Sequence, residues 1–154
     1  MNTVLRRIAL TFAGLALVLT FAGPANAATS PVKIRNAATG TKLLTKDPSS
    51  LVSMKNPGLP NQIWTKTDTN GGYATYRQGN GCLTGRGLQG FPVVTVETCI
   101  PGATKQQWRR GVSGDFQLRL NGLVAEVNTA SAALGVRMAF FQGKPNQKWT
   151  ILPA

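Results

Sequence analysis

Three tryptophans constrain the fold of this chain more than any other feature, because each stands in the same local sequence. They are the only tryptophans among 154 residues, and a glutamine precedes each of them by two positions. The segments are Gln62-Ile63-Trp64, Gln106-Gln107-Trp108 and Gln147-Lys148-Trp149, so the tryptophans lie 44 and 41 residues apart. A motif that recurs at this interval predicts copies of one structural unit. We therefore predict three repeats, approximately residues 29–70, 71–113 and 114–154.

The segments between the tryptophans have the pattern of short strands rather than of helices. Apolar and polar residues partly alternate at residues 32–35 and 116–120, and turn formers such as Asn70-Gly71-Gly72 separate these segments. One apolar segment per repeat occurs at residues 51–54, 93–96 and 136–138. We expect about four short strands in each repeat and about twelve in all. Because no repeat alone can bury its apolar face, the three must share one core.

The first 27 residues have the three parts of a secretory signal peptide. Arg6 and Arg7 precede an uncharged and mostly apolar run over residues 8–22, and Ala25-Asn26-Ala27 supplies the small residues of a cleavage site. The apolar run is shorter than the roughly 20 residues that a membrane-spanning helix needs. We expect cleavage near Ala27, secretion of residues 28–154 as one stand-alone domain, and no membrane span.

The secreted part is strongly basic. Without Arg6 and Arg7, 15 basic residues remain against five acidic ones, which gives a net charge of +10. Such a surplus favours anionic partners, including acidic glycans and anionic wall polymers, but it also keeps a small secreted protein soluble. Because the basic residues are scattered and no arginine-rich helix or aromatic RNA-binding motif is present, we expect no nucleic acid partner. We expect a monomer.

Two cysteines, Cys82 and Cys99, both lie in the secreted part. In an oxidising compartment an isolated pair is expected to form a disulfide bond. The chain contains no histidine, and we expect neither a metal site nor a cofactor.

The triplicated Gln-x-Trp motif resembles that of the ricin-B lectin family, and the resemblance extends over residues 29–152. The second repeat is the most similar, because Gly81-Cys82-Leu83, Cys99 and Gln106-Gln107-Trp108 follow the family's order, including its disulfide within the repeat. The resemblance implies an all-β structure, the β-trefoil. It also implies that the tryptophans are core residues and that each glutamine ties neighbouring backbone together beside the indole.

The resemblance further implies four sugar-binding positions in each repeat. They are an acid after the Cys-Leu pair, a glutamine and an aromatic residue on the next strand, and an asparagine before Gln-x-Trp. In the first repeat the acid position falls on Leu44, although Asn61 is present. In the second repeat the four positions fall on Thr84, Thr95, Glu97 and Lys105.

The third repeat keeps more of this pattern. Glu126 falls on the acid position, Arg137 on the glutamine position and Asn146 on the asparagine position, while the aromatic position falls on Ala139 unless a shift of one residue brings Phe140 into place. We predict weak carbohydrate binding, mainly through this repeat. The candidate sugar-binding residues are Glu126, Arg137, Asn146, Phe140 and, in the first repeat, Asn61. A purely structural role is the alternative, with Glu126 paired to an arginine and the asparagines in turns.

No catalytic motif is present, and we expect that the protein is not an enzyme. The five acids after the signal segment lie at non-equivalent positions of the repeats, and their pattern indicates no pair of catalytic carboxylates. Two other functions remain open beside carbohydrate binding. One is a protein-binding trefoil, such as a protease or toxin inhibitor, that uses the loop at residues 86–90. The other is a basic surface-active protein that binds anionic polymers.

Overall fold

The computed structural model describes residues 27–90 and 92–154, so the predicted signal peptide falls almost entirely outside the described residues. The described part is all-β, with twelve strands and four short 3₁₀ helices, which confirms the predicted fold class. The strands are β1 (Thr29–Asn36), β2 (Leu43–Lys46), β3 (Val52–Lys55), β4 (Trp64–Asp68), β5 (Ala74–Gln78), β6 (Gly81–Thr84), β7 (Thr95–Thr98), β8 (Trp108–Arg110), β9 (Phe116–Leu118), β10 (Val124–Val127), β11 (Val136–Ala139) and β12 (Trp149–Pro153). The 3₁₀ helices are Ala37–Thr39, Asn70–Gly72, Thr104–Gln106 and Pro145–Gln147. None of the helices in these residues is long and apolar enough to cross a membrane.

Six strands form a closed barrel, and they are the first and fourth strands of each repeat. Five antiparallel pairings connect them in the order β12-β1-β4-β5-β8-β9. The barrel closes between β9 and β12, where Asp115 bridges Lys148 and the Trp149 N–H donates to the Gly114 carbonyl. Strand β1 therefore lies beside β12, and the first and third repeats are joined along the whole of β12 and residues 32–36 of β1.

The second and third strands of each repeat form a hairpin, and the three hairpins meet around a pseudo-threefold axis. One equivalent backbone hydrogen bond connects each hairpin to the next. The donors are the N–H groups of Met54, Val96 and Met138, and the acceptors are the carbonyls of Leu134, Ser50 and Pro92. This threefold arrangement is the β-trefoil that the sequence resemblance implies.

The bounds of the observed strands differ from the predicted ones, and backbone pairing explains the two largest losses of predicted strand residues. The strand expected at residues 93–96 begins at Thr95, because the Val94 N–H donates across the threefold axis to Val136 instead of pairing within its own hairpin. The strand expected at residues 116–120 ends at Leu118, because the Gly122 N–H donates back to the Leu118 carbonyl and forms a turn.

The three tryptophans are buried in one core, as predicted. Trp64, Trp108 and Trp149 are 0–2% exposed and belong to a single apolar cluster with residues from all three repeats. Phe116 stacks on Trp108 with ring centroids 5.0 Å apart, and Tyr76 contacts Phe116 edge-on at 5.1 Å. Burial, together with the negative charge of Asp68, raises the pKa of Tyr76.

Candidate functional site

Each glutamine of the repeated motif makes the same three hydrogen bonds. For Gln106, Nε2 donates to the Thr98 carbonyl at 2.9 Å and to the Thr84 hydroxyl at 3.1 Å, while Oε1 accepts from the Ile100 N–H at 2.8 Å. The glutamine thus joins the two strands of the hairpin in its repeat to the loop that follows the hairpin. Gln62 and Gln147 make the equivalent contacts in the first and third repeats.

Each tryptophan adds one hydrogen bond to this arrangement. The indole N–H groups of Trp64, Trp108 and Trp149 donate to the carbonyls of Leu44, Leu83 and Ala125 at 3.1, 2.8 and 2.9 Å. A buried indole N–H needs such a partner. The repeated motif therefore fixes each hairpin to the barrel, and this result supports the structural role that the sequence implies.

The same hydrogen bonds correct one assignment in the first repeat. The acid position there is Thr45 and not Leu44, because Trp64 bonds to the carbonyl of Leu44 as Trp108 bonds to that of Leu83. Gln62 then bonds to the Thr45 hydroxyl as Gln106 bonds to that of Thr84. The turn that precedes β2 is longer than the turn that precedes β6, and this extra length shifted the assignment made from sequence.

In the third repeat a carboxylate takes the place of the threonine hydroxyl. The Gln147 Nε2 donates to Glu126 Oε2 at 2.8 Å, and Arg137 donates to Oε1 from Nε at 2.9 Å and from Nη2 at 2.6 Å. Strands β10 and β11 place Glu126 directly opposite Arg137. The Glu126 side chain is only 5% exposed. Both of its oxygens accept bonds within the protein, so Glu126 braces Gln147 and Arg137.

A surface cavity of about 440 Å³ lies beside this ion pair. Arg137 has a half-exposed side chain, Lys144 is exposed, and Asn146 donates its Nδ2 to the Val127 carbonyl at 2.9 Å. Because Arg137 balances the charge of Glu126, Lys144 leaves the cavity with a net positive charge. The polar residues that line it are Glu126, Asn128, Thr129, Arg137, Lys144 and Asn146.

The cavity brings together three of the five predicted site residues, namely Glu126, Arg137 and Asn146. Phe140 is not part of its lining and is 69% exposed. The register shows no shift of one residue, because Ala139 lies opposite Val124 just as Glu97 lies opposite Cys82.

Asn61 lies in the first repeat, away from this cavity. Its side chain is exposed, its φ is +65°, and its carbonyl accepts from the Lys46 N–H. It therefore occupies a turn in the described structure.

The sequence reasoning did not identify Asn128, Thr129 or Lys144. Lys144 precedes the 3₁₀ helix Pro145–Gln147 that carries Asn146, whereas Asn128 and Thr129 directly follow β10. Their nearness in sequence to Asn146 and Glu126 was the available signal, but residue types alone do not tell which loop residues reach a cavity.

In the second repeat, the residues that correspond to the third-repeat site bond to one another. Glu97 accepts from Arg86 Nη2 at 2.6 Å and from Lys105 Nζ at 2.8 Å, and the Thr95 hydroxyl also donates to it. Partial burial acts to raise the pKa of Glu97, but the hydrogen bonds and charges of Lys105 and Arg86 outweigh it and hold the pKa below its usual value. Arg86, on the loop considered for inhibition of another protein, is thus engaged in an internal ion pair.

In the first repeat, the residues that correspond to Glu126 and Arg137 also form hydrogen bonds within the protein. Ser53 lies opposite Thr45 on the neighbouring strand, and its hydroxyl donates to Asp47 Oδ2 at 2.8 Å. The Thr45 hydroxyl itself donates to the Leu43 carbonyl and accepts from Gln62. Both hydroxyl groups therefore have hydrogen-bond partners within the first repeat.

Cys82 and Cys99 form the expected disulfide bond, with their Cα atoms 4.9 Å apart. It joins β6 to the segment that follows β7, within the second repeat. In the part of the chain that the structure describes, no three or more His, Cys, Asp or Glu side chains are grouped as a metal site would require.

The comparisons with known proteins agree with this architecture. A family model described as the ricin-type beta-trefoil lectin domain matches residues 30–149. No curated protein sequence is similar enough to the chain to count as a match.

Several solved structures have the same fold. The designed threefold-symmetric protein ThreeFoil is 24% identical, with a TM-score of 0.67, and the match covers 80% of this chain and 99% of ThreeFoil. The C-terminal half of an earthworm R-type lectin, in complex with GalNAc, is 16% identical with a TM-score of 0.62, and the match covers 80% of this chain and 98% of that one.

A mosquitocidal holotoxin is 19% identical to this chain, with a TM-score of 0.71. The match covers 82% of this chain but only 17% of the toxin, so the likeness concerns one module of a much larger protein. At these identities the solved structures show the common fold alone.

Proposed function

Because this chain belongs to the family of ricin-type β-trefoil lectin domains, we propose that it binds carbohydrate and that the cavity of the third repeat is its binding site. One observation carries the proposal. The cavity of about 440 Å³ surrounds the acid and asparagine positions of the third repeat, Glu126 and Asn146. In the second repeat Lys105, at the asparagine position, donates to Glu97, and in the first repeat Ser53, opposite Thr45, donates to Asp47.

The chemistry of the cavity favours ligands that accept hydrogen bonds. The cationic side chains of Arg137 and Lys144 are hydrogen-bond donors only, and Glu126 is already engaged by Arg137 and Gln147. The ring hydroxyls of a sugar, or a carboxylate carried by an acidic sugar, can accept from these donors. The protein then binds through Arg137, Lys144 and Asn146, while Glu126 holds Arg137 in place.

Binding at this site should be weak. Ala139 stands where the aromatic residue of a binding repeat would cover the apolar face of the sugar, and Phe140 is not part of the cavity lining. A small polar site without this stacking contact is expected to have a Kd near the millimolar end of the range, about −4 kcal/mol. Two of the structural relatives are described as complexes with galactose-type sugars, GalNAc and α-methyl-D-galactoside. These two sugars are therefore the first ligands to test.

Export of the protein is part of this proposal. The signal-like first 27 residues and the disulfide bond between Cys82 and Cys99 both fit an oxidising compartment outside the cytoplasm. Mass spectrometry of the protein recovered from culture medium would test it, since a mature chain that begins at Ala28 is expected.

A binding experiment with a matched pair of double variants tests the site. Lys144→Gln with Asn146→Ala removes one ammonium group and one amide from the cavity. Lys42→Gln with Asn56→Ala is the control, because Lys42 Nζ donates to Asn56 Oδ1 at 2.8 Å on the exposed face of the first repeat. The first variant should lose at least about tenfold in sugar affinity by NMR titration or on a glycan array, a loss of about 1.4 kcal/mol.

Each outcome has a definite meaning. A sugar signal that is lost in the cavity variant and kept in the control supports the site. Equal binding by both variants would show that another surface binds the sugar. If the unaltered protein binds no glycan at millimolar concentrations, the function itself is wrong.

A further inference from the structure

Two arginine side chains lie over one tyrosine ring, on a surface separate from the third-repeat cavity. The guanidinium carbons of Arg109 and Arg119 are 4.9 and 5.2 Å from the centroid of the Tyr73 ring. Tyr73 directly precedes β5, Arg109 is on β8, and Arg119 directly follows β9. Because β8 pairs with both β5 and β9, the barrel brings the three residues together.

Neutral amides, and not carboxylates, hold these two arginines. Arg109 donates to Gln117 Oε1 at 2.6 Å, and Arg119 donates to Asn70 Oδ1 at 2.8 Å and to Gln107 Oε1 at 2.6 Å. The four ion pairs among the described residues involve neither arginine. An amide orients a guanidinium group without cancelling its charge, so both positive charges remain available to a ligand.

Arg110 adds a third cation beside Arg109. Its Nε donates to the Trp149 carbonyl at 2.9 Å, which fixes the side chain against the third repeat. Arg109 and Arg110 line a shallow cavity of about 430 Å³, in which Asp115 is the acidic residue. Arg109 and Arg119 over Tyr73, together with Arg110, which lines this cavity with Arg109, are called the arginine surface below; they keep a surplus of positive charge even when Asp115 is counted.

We propose that the arginine surface binds an acidic polysaccharide through sulfate or carboxylate groups along its chain. A guanidinium group can bond to such an anion with two parallel N–H donors, which a lysine cannot do. Because Tyr73 and the amides already orient the arginines, little side-chain freedom is lost on binding. Several fixed cations on one surface suit a polymer whose negative charges repeat along its length. This site acts independently of the third-repeat cavity, which shares no lining residue with it.

The surface fits a polysaccharide better than a single-stranded nucleic acid. Proteins that bind single strands without sequence preference stack the bases on exposed aromatic rings. Tyr73 is the aromatic residue of this surface, and two guanidinium groups already lie over its ring. Binding at the arginine surface is therefore expected to depend on charge without base stacking.

Binding of dextran sulfate by the full chain tests the proposal, with unmodified dextran as the uncharged counterpart and DNA oligonucleotides as the other polyanion. The test variant is Arg109→Gln with Arg119→Gln. The control variant, Lys42→Gln with Lys55→Gln, removes the same charge from the first repeat. We expect the test variant to bind dextran sulfate about tenfold more weakly near 0.1 M salt. The slope of its log affinity against log salt concentration should become smaller in magnitude by about two, one for each lost contact. The control should change much less.

The alternative outcomes each overturn the proposal. Equal losses in both variants would show that only the total charge matters, and tighter binding of DNA than of dextran sulfate would identify nucleic acid as the partner. Absence of dextran sulfate binding by the unaltered protein at about 50 mM salt would show that no such site exists. If the double variant does not fold, Arg109→Gln alone answers the question, because Arg109 is exposed and its side-chain bond is to the surface residue Gln117. Sugar binding by the third-repeat cavity should be unchanged in every arginine variant, which separates this test from that of the proposed function.

Discussion

Gln147 and Glu126 are joined by a hydrogen bond of 2.8 Å from Nε2 to Oε2, in the place where the other two repeats have a bond from glutamine to threonine. The carboxylate that resembles a sugar ligand therefore also supports the fold. A loss of sugar binding on its removal would not by itself identify a contact with sugar, because the hairpin of β10 and β11 would be weakened at the same time. Stability has to be measured before binding is interpreted.

The first prediction compares two replacements of Glu126. Glu126→Ala should lower the free energy of unfolding by about 1–3 kcal/mol, because the buried Gln147 Nε2 and the half-exposed Arg137 both lose an acceptor. Glu126→Thr should cost less, since Thr45 and Thr84 serve the same glutamine contact in the other repeats. Urea denaturation of the two variants tests this difference. Equal destabilisation by both would contradict the equivalence of the three positions.

The second prediction concerns the glutamine of the repeated motif. Gln106→Ala should destabilise the protein by about 1–3 kcal/mol, because the Ile100 N–H, the Thr98 carbonyl and the Thr84 hydroxyl each lose a partner. Gln117→Ala is the control, because this glutamine bonds at the surface to Arg109 and to the Gly122 carbonyl. The control should stay within about 0.5 kcal/mol of the unaltered protein. Thermal unfolding followed by tryptophan fluorescence would detect the difference.

Much of the fold could be predicted because its main determinant is local in sequence. Each Gln-x-Trp segment carries both the residue that fills the core and the residue that braces the hairpin, so three short copies indicate three repeats. The ends of the strands were less predictable. Val94 looks like a strand residue in sequence, but it pairs across the threefold axis with Val136, and that contact depends on how the repeats assemble.

The candidate site was only partly predictable, for two physical reasons. The length of a turn decides which residue reaches an equivalent position, and the turn before β2 moved the acid position from Leu44 to Thr45. Contacts between distant segments are also not visible in one sequence. Tyr73, Arg109 and Arg119 come together only because β5, β8 and β9 are neighbours in the barrel.

The third prediction concerns the disulfide bond of the second repeat. Replacing Cys82 and Cys99 together by alanine should lower the free energy of unfolding by about 2–4 kcal/mol, because the unfolded chain gains conformational freedom. A reducing agent should shift the melting temperature of the unaltered protein in the same direction. The double variant is the control for the reductant, since its melting temperature should not respond. A reductant effect of equal size in both proteins would show that the disulfide is not its cause.

The fourth prediction concerns Glu97 and the pH dependence of stability. Partial burial opposes ionisation of Glu97, but Lys105 and Arg86 lower its pKa in the folded protein, so the unfolded chain takes up a proton at higher pH than the folded one. The ion pairs therefore stabilise the fold above the ordinary glutamate pKa of about 4.3, and this stabilisation is lost as the pH falls through the lowered value. Because Arg86 is mostly exposed, the effect should not exceed about 1 kcal/mol.

Urea denaturation of the unaltered protein and of Glu97→Gln at several pH values checks this prediction. The unaltered protein should be the more stable one at neutral pH, and the two should converge in acid once Glu97 is protonated. Asp68→Asn is a suitable comparison, because Asp68 pairs with Lys66 at a more exposed position where solvent weakens the interaction. A difference for Glu97→Gln that persists unchanged in acid would mean that the side chain acts by packing, since a charge effect must disappear when the carboxylate is neutralised.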